Sequence, residues 1–305
     1  MANSLVIATD SRFIVTLANM ARACADNVVA AVVGSADLAE SVSVSGVDEV
    51  IHFDLPDDMP AEAMAQVLAE WTTVDAPAFI ISNDAPAART LLAASAGVVR
   101  ASVLGGVVDA HREGDILVVH CEIAAGIALQ EAHVEGPLAA VYGGSDPAVD
   151  QHEPVRIVNA NLQGFATSER VVERKLPATD AVDLSAASRI IGVGRGVKAR
   201  GDLAVIEELA SSLGAVMACT LPVSEDSHWY PAEQVLGSSH NSASPDLYIA
   251  LGISGSPNHM SGVKGARVVV AVNNDDKAEV FKRCDYGVVA DLYDFVPALK
   301  GALGE

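Results

Sequence analysis

The chain has 305 residues, half of them hydrophobic, which suffices to bury a core in each of two domains. Its 19 basic and 40 acidic residues give a formal net charge of -21, so nucleic acid and anionic membranes are poor partners, because phosphate groups need a basic surface. No stretch approaches the roughly 18 apolar residues of a membrane span, and the first residues lack the basic segment of a signal peptide. We therefore expect a cytoplasmic protein without membrane insertion.

In the first half of the chain, short apolar runs alternate with amphipathic segments. Buried strands are predicted for SLVIATD, NVVAAVVG and PAFIISND, and helices for RFIVTLANMARACAD, PAEAMAQVLAEWTTV and APAARTLLAASAGV. This alternation indicates a parallel sheet covered on both faces. After Val98 the pattern changes to short strands and turns, which predicts antiparallel strands that complete a domain over residues 1–163.

Residues 164–187 are charged, polar and weakly periodic, and we predict a linker there. A second alternating unit follows over residues 188–305. Strands are predicted in SRIIGVGRG, AVMACT, DLYIAL, ARVVVAVN and YGVVAD, and helices in DLAVIEELASSLG, KAEVFKRC and LYDFVPALKGAL, with an irregular stretch from Leu221 to Pro245. The fold class is therefore α/β, with an N-terminal parallel-sheet domain that carries added antiparallel strands, followed by a doubly wound α/β domain. Ligands of such sheets bind beyond the carboxyl ends of the strands.

Polar residues gather where the strands of the second domain end. Arg195 lies in a glycine loop after the first strand, and Thr220 ends the second. Arg195 and loop amides suit a pyrophosphate, whereas Asn273 and Asp291, after the last two strands, suit a ribose or an adenine. Taken singly, these two residues also fit a turn residue and a helix cap. The arrangement indicates a nucleotide site, although GVGRGV is not the GxGxxG fingerprint.

The third strand of the second domain ends in the loop GISGSPNH. Its small residues would let a ligand approach the backbone closely. An equally good interpretation is a tight strand-to-helix turn followed by a solvated histidine, His259.

Two kinds of site find no support in the sequence. The four cysteines, Cys24, Cys121, Cys219 and Cys284, lie far apart and are typical of buried thiols in a reducing compartment, not of a disulfide framework or a metal site. The motifs of P-loop proteins, zinc proteases and serine hydrolases are also missing. We expect no catalytic residue and no metal.

Three segments together resemble the α subunit of electron transfer flavoproteins, including its anaerobic, nitrogen-fixation-type group. The resemblance covers most of residues 188–303 and is carried by GVGRGVKARGDLAVIEELASSLGA, SPDLYIALGISGSPNHMSGV and VVVAVNNDDKAEVFKRCDYGVVADLYDFVPAL. The first domain is similar only in length, strand order and general pattern. Its AAGIAL segment has Ile127 where the family usually has asparagine.

The resemblance implies a heterodimer with a β subunit that docks on the first domain, and an FAD held mainly by the second. It implies an electron carrier that acts with an acyl-CoA-type dehydrogenase or a reductase. By position, it implies a flavin site made of Arg195, Thr220, Leu236, Gly237, Ser238, Ser239, Ser254, Gly255, Ser256, Pro257, Asn258, His259, Asn273, Asp291 and Leu292. In the family, the histidine reaches the pyrimidine carbonyl of the flavin, where a donor stabilises negative charge on the reduced ring.

Three departures from the family pattern concern the flavin surroundings. Leu221 stands where the family usually has the arginine of Ser-Arg-Pro, GSSH at 237–240 replaces Gly-Gln-Thr-Gly, and Asn274 replaces a frequent lysine. These departures keep a second hypothesis open, a partner subunit that holds FAD or AMP in a structural or regulatory role. A third, an NAD-linked dehydrogenase, lacks both GxGxxG and a catalytic pair.

Overall fold

The computed structural model describes residues 2–124, 126, 128–144, 152–162, 165, 167, 169–173, 182–184 and 187–304. The chain divides into two compact units, Met1–Lys175 and Leu176–Glu305. The division lies inside the segment 164–187, whose role as a linker stays a prediction because much of it lies outside the described residues. Ile127, the departure noted in the first domain, also lies outside them.

The first unit is an α/β structure. Its elements are β1 (Asn3–Ala8), α1 (Ile14–Cys24), β2 (Asn27–Gly34), α2 (Ala36–Ser41), β3 (Glu49–Asp54), a 3-10 helix (Ala61–Met64), α3 (Ala65–Asp75), β4 (Phe79–Ser82), α4 (Pro86–Val99), β5 (Ser102–Glu113), β6 (Ile116–Ile123), β7 (Ala128–Glu135), β8 (Leu138–Tyr142) and β9 (Arg156–Asn159). The sequence did not predict α2 or β9, which are only six and four residues long.

The strands described in this unit form one mixed sheet in the order β7-β6-β5-β8-β4-β1-β2-β3-β9. β5, β6 and β7 are antiparallel, as predicted, whereas β8 is parallel to both of its neighbours, β4 and β5. The prediction that the whole segment after Val98 is antiparallel was therefore wrong for β8. Its direction depends on pairing with β4, a contact distant in sequence.

Alternate residues of the central strands face opposite sides of this sheet, because side chains alternate along a strand. Val6 and Val28 belong to the apolar cluster that includes α1, and Leu5 and Val29 to the cluster that includes residues of α3 and α4. Both faces are covered, which explains the nearly continuous apolar runs.

The second unit is smaller. Its elements are β10 (Arg189–Val193), a 3-10 helix (Arg200–Asp202), α5 (Leu203–Leu213), β11 (Val216–Cys219), α6 (Leu221–Glu225), a 3-10 helix (Ala232–Gln234), β12 (Leu247–Leu251), α7 (Pro257–Met260), a 3-10 helix (Ser261–Val263), β13 (Val269–Asn273), a 3-10 helix (Glu279–Arg283), β14 (Tyr286–Val289) and α8 (Leu292–Leu303).

The strands of the second unit are parallel, in the order β11-β10-β12-β13-β14. The chain leaves β10 toward β11 and then crosses back to β12 on the other side of β10, so a topological switch point lies between β10 and β12. The α/β class and the two sheets predicted from the sequence are confirmed. The helix predicted for KAEVFKRC was wrong: only a 3-10 helix forms there, because the Val280 amide donates to the Ser254 carbonyl and draws this segment toward the loop after β12.

Two general features complete the description of the fold. Within the described part of the chain, no helix is long and apolar enough to cross a membrane. All four cysteines are free thiols, and burial raises the pKa of Cys24 and of Cys219 to about 12, so both thiols stay protonated at neutral pH.

Candidate functional site

A cavity of about 580 Å³ opens at the carboxyl edge of the second sheet. Loops that follow β10, β11, β12 and β13 form its walls, and they surround the switch point between β10 and β12. The lining residues are Gly194, Arg195, Gly196, Thr220, Pro222, Gly252, Ile253, Ser254, Ser256, His259, Asn273, Asp275, Lys277, Ala278 and Glu279. This volume falls within the usual range of small-molecule and cofactor sites, about 300–1,000 Å³.

The loops after β10 and β12 pack against each other backbone to backbone. The Gly194 amide donates to the Leu251 carbonyl and the Gly196 amide to the Gly252 carbonyl, both over 3.0 Å. A Cβ on Gly196 would lie 2.5 Å from the Gly252 Cα, and Gly252 itself has φ +62. Larger residues at these positions would force the loops apart, so the glycines keep main-chain groups exposed at the cavity floor.

Arg195 provides a free cation at the mouth of the cavity. Its side chain is exposed, and it makes no ion pair or hydrogen bond with any residue that the structure describes. The two acidic lining residues, by contrast, already have partners: Glu279 pairs with Lys282 over 2.8 Å, and Asp275 accepts from the Lys277 amide over 3.0 Å. An anionic ligand could therefore bind Arg195 without displacing an internal partner.

Asn273 and Asp291 perform the local roles that the sequence also allowed. The Asn273 side chain donates to the Ile253 carbonyl and accepts from the Asp275 amide, each over 2.9 Å. Asp291 is the N-cap of α8 and accepts from the Tyr293 amide over 3.0 Å. Both still border the site, because a recess of about 30 Å³ beside the main cavity is lined by Asn273, Asp291 and Leu292.

His259 is buried, with 5% of its surface exposed, so the interpretation of a solvated histidine was wrong. Its Nδ1 lies 3.0 Å from the Leu236 carbonyl oxygen and its Nε2 lies 2.7 Å from the Tyr248 hydroxyl. Burial lowers its pKa from the ordinary 6.5 to about 4, against a smaller opposing effect of the Leu236 hydrogen bond. The ring is neutral, and both nitrogens bind protein groups, so a hydrogen bond from this ring to a ligand would require one partner to be released.

The segment from Leu236 to Asn241, which we call the 236–241 loop, lies against residues 256–262. The Ser238 amide donates to the Asn258 carbonyl over 2.8 Å, and a Cβ on Gly237 would lie 3.0 Å from the same carbonyl oxygen. The loop contributes no residue to the lining of the cavity. It forms a second layer behind the segment that carries His259.

The structure thus brings only part of the predicted set to the cavity surface. Arg195, Thr220, Ser254, Ser256, His259 and Asn273 line the main cavity, and Asp291 and Leu292 line the recess. The predicted residues outside both linings are Leu236, Gly237, Ser238, Ser239, Gly255, Pro257 and Asn258. Leu221 also lies outside them, because it packs against the apolar cluster that contains Ile206 and Val223.

The lining residues that the sequence did not single out are mostly in the loops after β10, β12 and β13. Gly194, Gly196, Gly252 and Ile253 flank predicted residues, whereas Asp275 and Lys277–Glu279 were missed because part of the segment was assigned to a helix. The turn-forming residues Asn273 to Asp276 are the feature of the sequence that could have indicated a loop here. No group of His, Cys, Asp or Glu side chains within the described ranges could hold a metal ion.

Comparisons with known proteins give a consistent result. Residues 183–264 match the family model described as the electron transfer flavoprotein FAD-binding domain. YdiR of Escherichia coli (strain K12), whose name describes an electron transfer flavoprotein subunit, is 35% identical over 218 residues, which cover 70% of this chain and 68% of YdiR. Protein FixB of Escherichia coli O157:H7 is 29% identical over 296 residues, 94% of this chain and 93% of FixB. FixB of Shigella flexneri shows the same identity and coverage.

Proposed function

Because this chain belongs to the α-subunit family of electron transfer flavoproteins, in the group that includes FixB, we propose that it binds FAD in the cavity of its second unit. Bound FAD supplies reversible uptake and release of electrons. The protein then acts as an electron carrier that exchanges electrons with a dehydrogenase or a reductase, and its own side chains bind and orient the cofactor.

The observation that carries this proposal is the unpaired cation in a glycine loop at the switch point. Arg195 fits the pyrophosphate, because a charged donor on an anionic oxygen is among the stronger protein hydrogen bonds. The hydroxyls of Thr220 and Ser254 line the same cavity and make no hydrogen bond with the described residues. Asn273 and Asp291, at the adjoining recess, suit the adenosine portion.

A β subunit is the proposed partner of the first unit. The unit's sheet ends at β7, whose outer edge pairs with no described strand, and Leu129 on this strand is 64% exposed. An exposed strand edge that carries an apolar side chain favours aggregation of an isolated protein, so such edges are normally covered. Docking of a β subunit on the first unit would remove such exposed surface.

The test is co-expression with the β subunit, followed by a visible spectrum of the purified complex and chromatography of any nucleotide released by acid. We expect flavin absorption and stoichiometric FAD. A complex that stays colourless after incubation with excess FAD would contradict the proposal. A monodisperse monomer that binds FAD as tightly as the complex would contradict the heterodimer.

A second candidate function is a nucleotide-binding subunit with a structural or regulatory role. The packing of Leu221 against the core favours it, since this leucine brings no charge toward the cavity where the family has an arginine. Under this hypothesis, the acid extract contains AMP, or contains FAD that chemical reductants reduce but no dehydrogenase does.

A further inference from the structure

Tyr248, the second residue of β12, has a hydroxyl with a single polar partner among the described residues. The side chain is fully buried, and its oxygen lies 2.7 Å from Nε2 of His259. Burial raises the pKa of the phenol, so it keeps its proton at all physiological pH values. The neighbouring strand makes room for it: a Cβ on Gly192 of β10 would lie 2.1 Å from this oxygen. A glycine in a buried strand therefore marks the place where the phenol lies.

The direction of the hydrogen bonds around His259 is determined by its partners. The Leu236 carbonyl oxygen can only accept, so Nδ1 of His259 carries the hydrogen. Nε2 is then the acceptor, and the Tyr248 hydroxyl donates to it. This arrangement satisfies every polar atom of the pair, and it requires the neutral imidazole. A proton on Nε2 would leave the Tyr248 hydrogen without an acceptor in a fully buried place.

The imidazole also fastens the 236–241 loop. Main-chain bonds hold this loop at Ser238, which donates to Asn258, and just beyond it at Ala243, which donates to Gly262, each over 2.8 Å. His259 adds a side-chain bond at Leu236, where the loop begins. The His259 ring, which lines the cavity, is thus hydrogen-bonded to the 236–241 loop behind the cavity wall.

We propose that Tyr248 is a positioning residue of the flavin site: its hydroxyl holds the orientation of the His259 ring, whose tautomer the Leu236 carbonyl sets, and the ring in turn holds the 236–241 loop against the cavity wall. The inference rests on the proposed function, because it assigns the pair to an FAD site. It gives His259 an anchoring role within the protein, which the resemblance does not imply.

The test uses the heterodimer with ¹⁵N-labelled histidine, before and after FAD is added. In the FAD-free protein we expect NMR spectra with a single neutral His259 tautomer, protonated at Nδ1, with the signal assigned from its loss in His259→Asn. In Tyr248→Phe we expect a shifted Nε2 signal, because this nitrogen loses its donor, together with faster hydrogen exchange in residues 236–241, a three- to tenfold weaker FAD affinity and a shifted flavin midpoint potential. Tyr286→Phe is the matched control, because it removes the same hydroxyl from a tyrosine that is 65% exposed, and it should change none of these readouts.

A second pair of variants keeps the test valid if Tyr248→Phe folds poorly. Gly192→Ala should displace the phenol and reproduce the same changes, whereas Gly201→Ala, where an added Cβ meets nothing within 4 Å, should not. A wild-type ring protonated at Nε2, or a Tyr248→Phe protein with an unchanged Nε2 signal, FAD affinity and potential, overturns the proposal while wild-type FAD binding stands. Wild-type heterodimer that holds no FAD overturns the proposed function, and the positioning role with it.

Discussion

The backbone amide of Lys198 donates a 2.7 Å hydrogen bond to the hydroxyl of Tyr293, which lies 95 residues later in the chain. The same hydroxyl donates to Asp202 over 2.6 Å. The two bonds tie the segment after Arg195 to the first turn of α8. One phenol thereby restrains the glycine loop at the mouth of the cavity.

Tyr293→Phe should therefore destabilise the second unit. It removes both hydrogen bonds, one of them to a carboxylate, and we expect the free energy of unfolding to fall by about 1–2 kcal/mol. Urea denaturation of the variant measures this loss, with Tyr286→Phe as the matched control. A loss no larger than that of the control would show that Lys198 and Asp202 find water as an equivalent partner.

Arg195→Ala should weaken FAD binding by about tenfold to a hundredfold, since a charge-assisted contact contributes roughly 1.5–3 kcal/mol. FAD retention during dilution and gel filtration gives the measurement. Arg267→Ala is the control, because Arg267 precedes β13 at the opposite edge of the sheet and pairs with Asp246. Equal FAD retention by both variants would mean that Arg195 does not bind FAD.

The stability of the second unit should depend on pH through His259. Its pKa is about 4 in the folded protein against an ordinary value of 6.5, so the unfolded chain takes up the proton first as the pH falls. The contribution of this group to stability is complete above about pH 6.5 and declines toward pH 4; between pH 7 and pH 5 the loss is about 2 kcal/mol.

Denaturation of the wild type and of His259→Asn at pH 7 and pH 5 checks this expectation. The asparagine variant should be less stable at pH 7 but should lose less stability on acidification, and the difference between the two losses isolates the histidine. Parallel losses in both proteins would mean that the imidazole is not held in its neutral form.

Leu221→Arg should raise the flavin midpoint potential by tens of millivolts, because a cation near the ring favours the reduced form. A tenfold change in the equilibrium constant corresponds to about 59 mV for a one-electron step. A redox titration of the heterodimer makes the measurement, and Leu221→Gln controls for loss of the apolar side chain. If FAD stays bound and the arginine and glutamine variants titrate alike, position 221 does not face the flavin in this protein.

The sequence predicted most strands and helices of both units because their apolar periodicity is local. It could not predict the direction of β8, which depends on pairing with β4 more than 50 residues away, or the short 3-10 helix at Glu279–Arg283, which depends on a contact with Ser254. Tertiary contacts override local pattern in both cases.

The sequence predicted those site residues that lie at or just after the carboxyl ends of strands. Arg195, Thr220 and Asn273 reach the cavity because loops at the carboxyl ends of parallel strands meet at one edge. The burial of His259 was not predictable in this way, because it depends on the phenol of Tyr248 and on the space above Gly192, which lies in another strand. Gly192 and Tyr248, which are 56 positions apart in the chain, must be adjacent before Nε2 of His259 has a partner.

The position of β8 has a consequence for how the first unit folds. β8 lies between β4 and β5, so the parallel strands β1–β4 and the antiparallel strands β5–β7 have no backbone ladder in common until Leu138–Tyr142 pairs with both. During synthesis, the strands of both partial sheets therefore leave the ribosome before the strand that joins them. Because long-range pairing of this kind is slow, we expect the two late pairings, of β8 with β4 and of β9 with β3, to limit the folding rate of the unit.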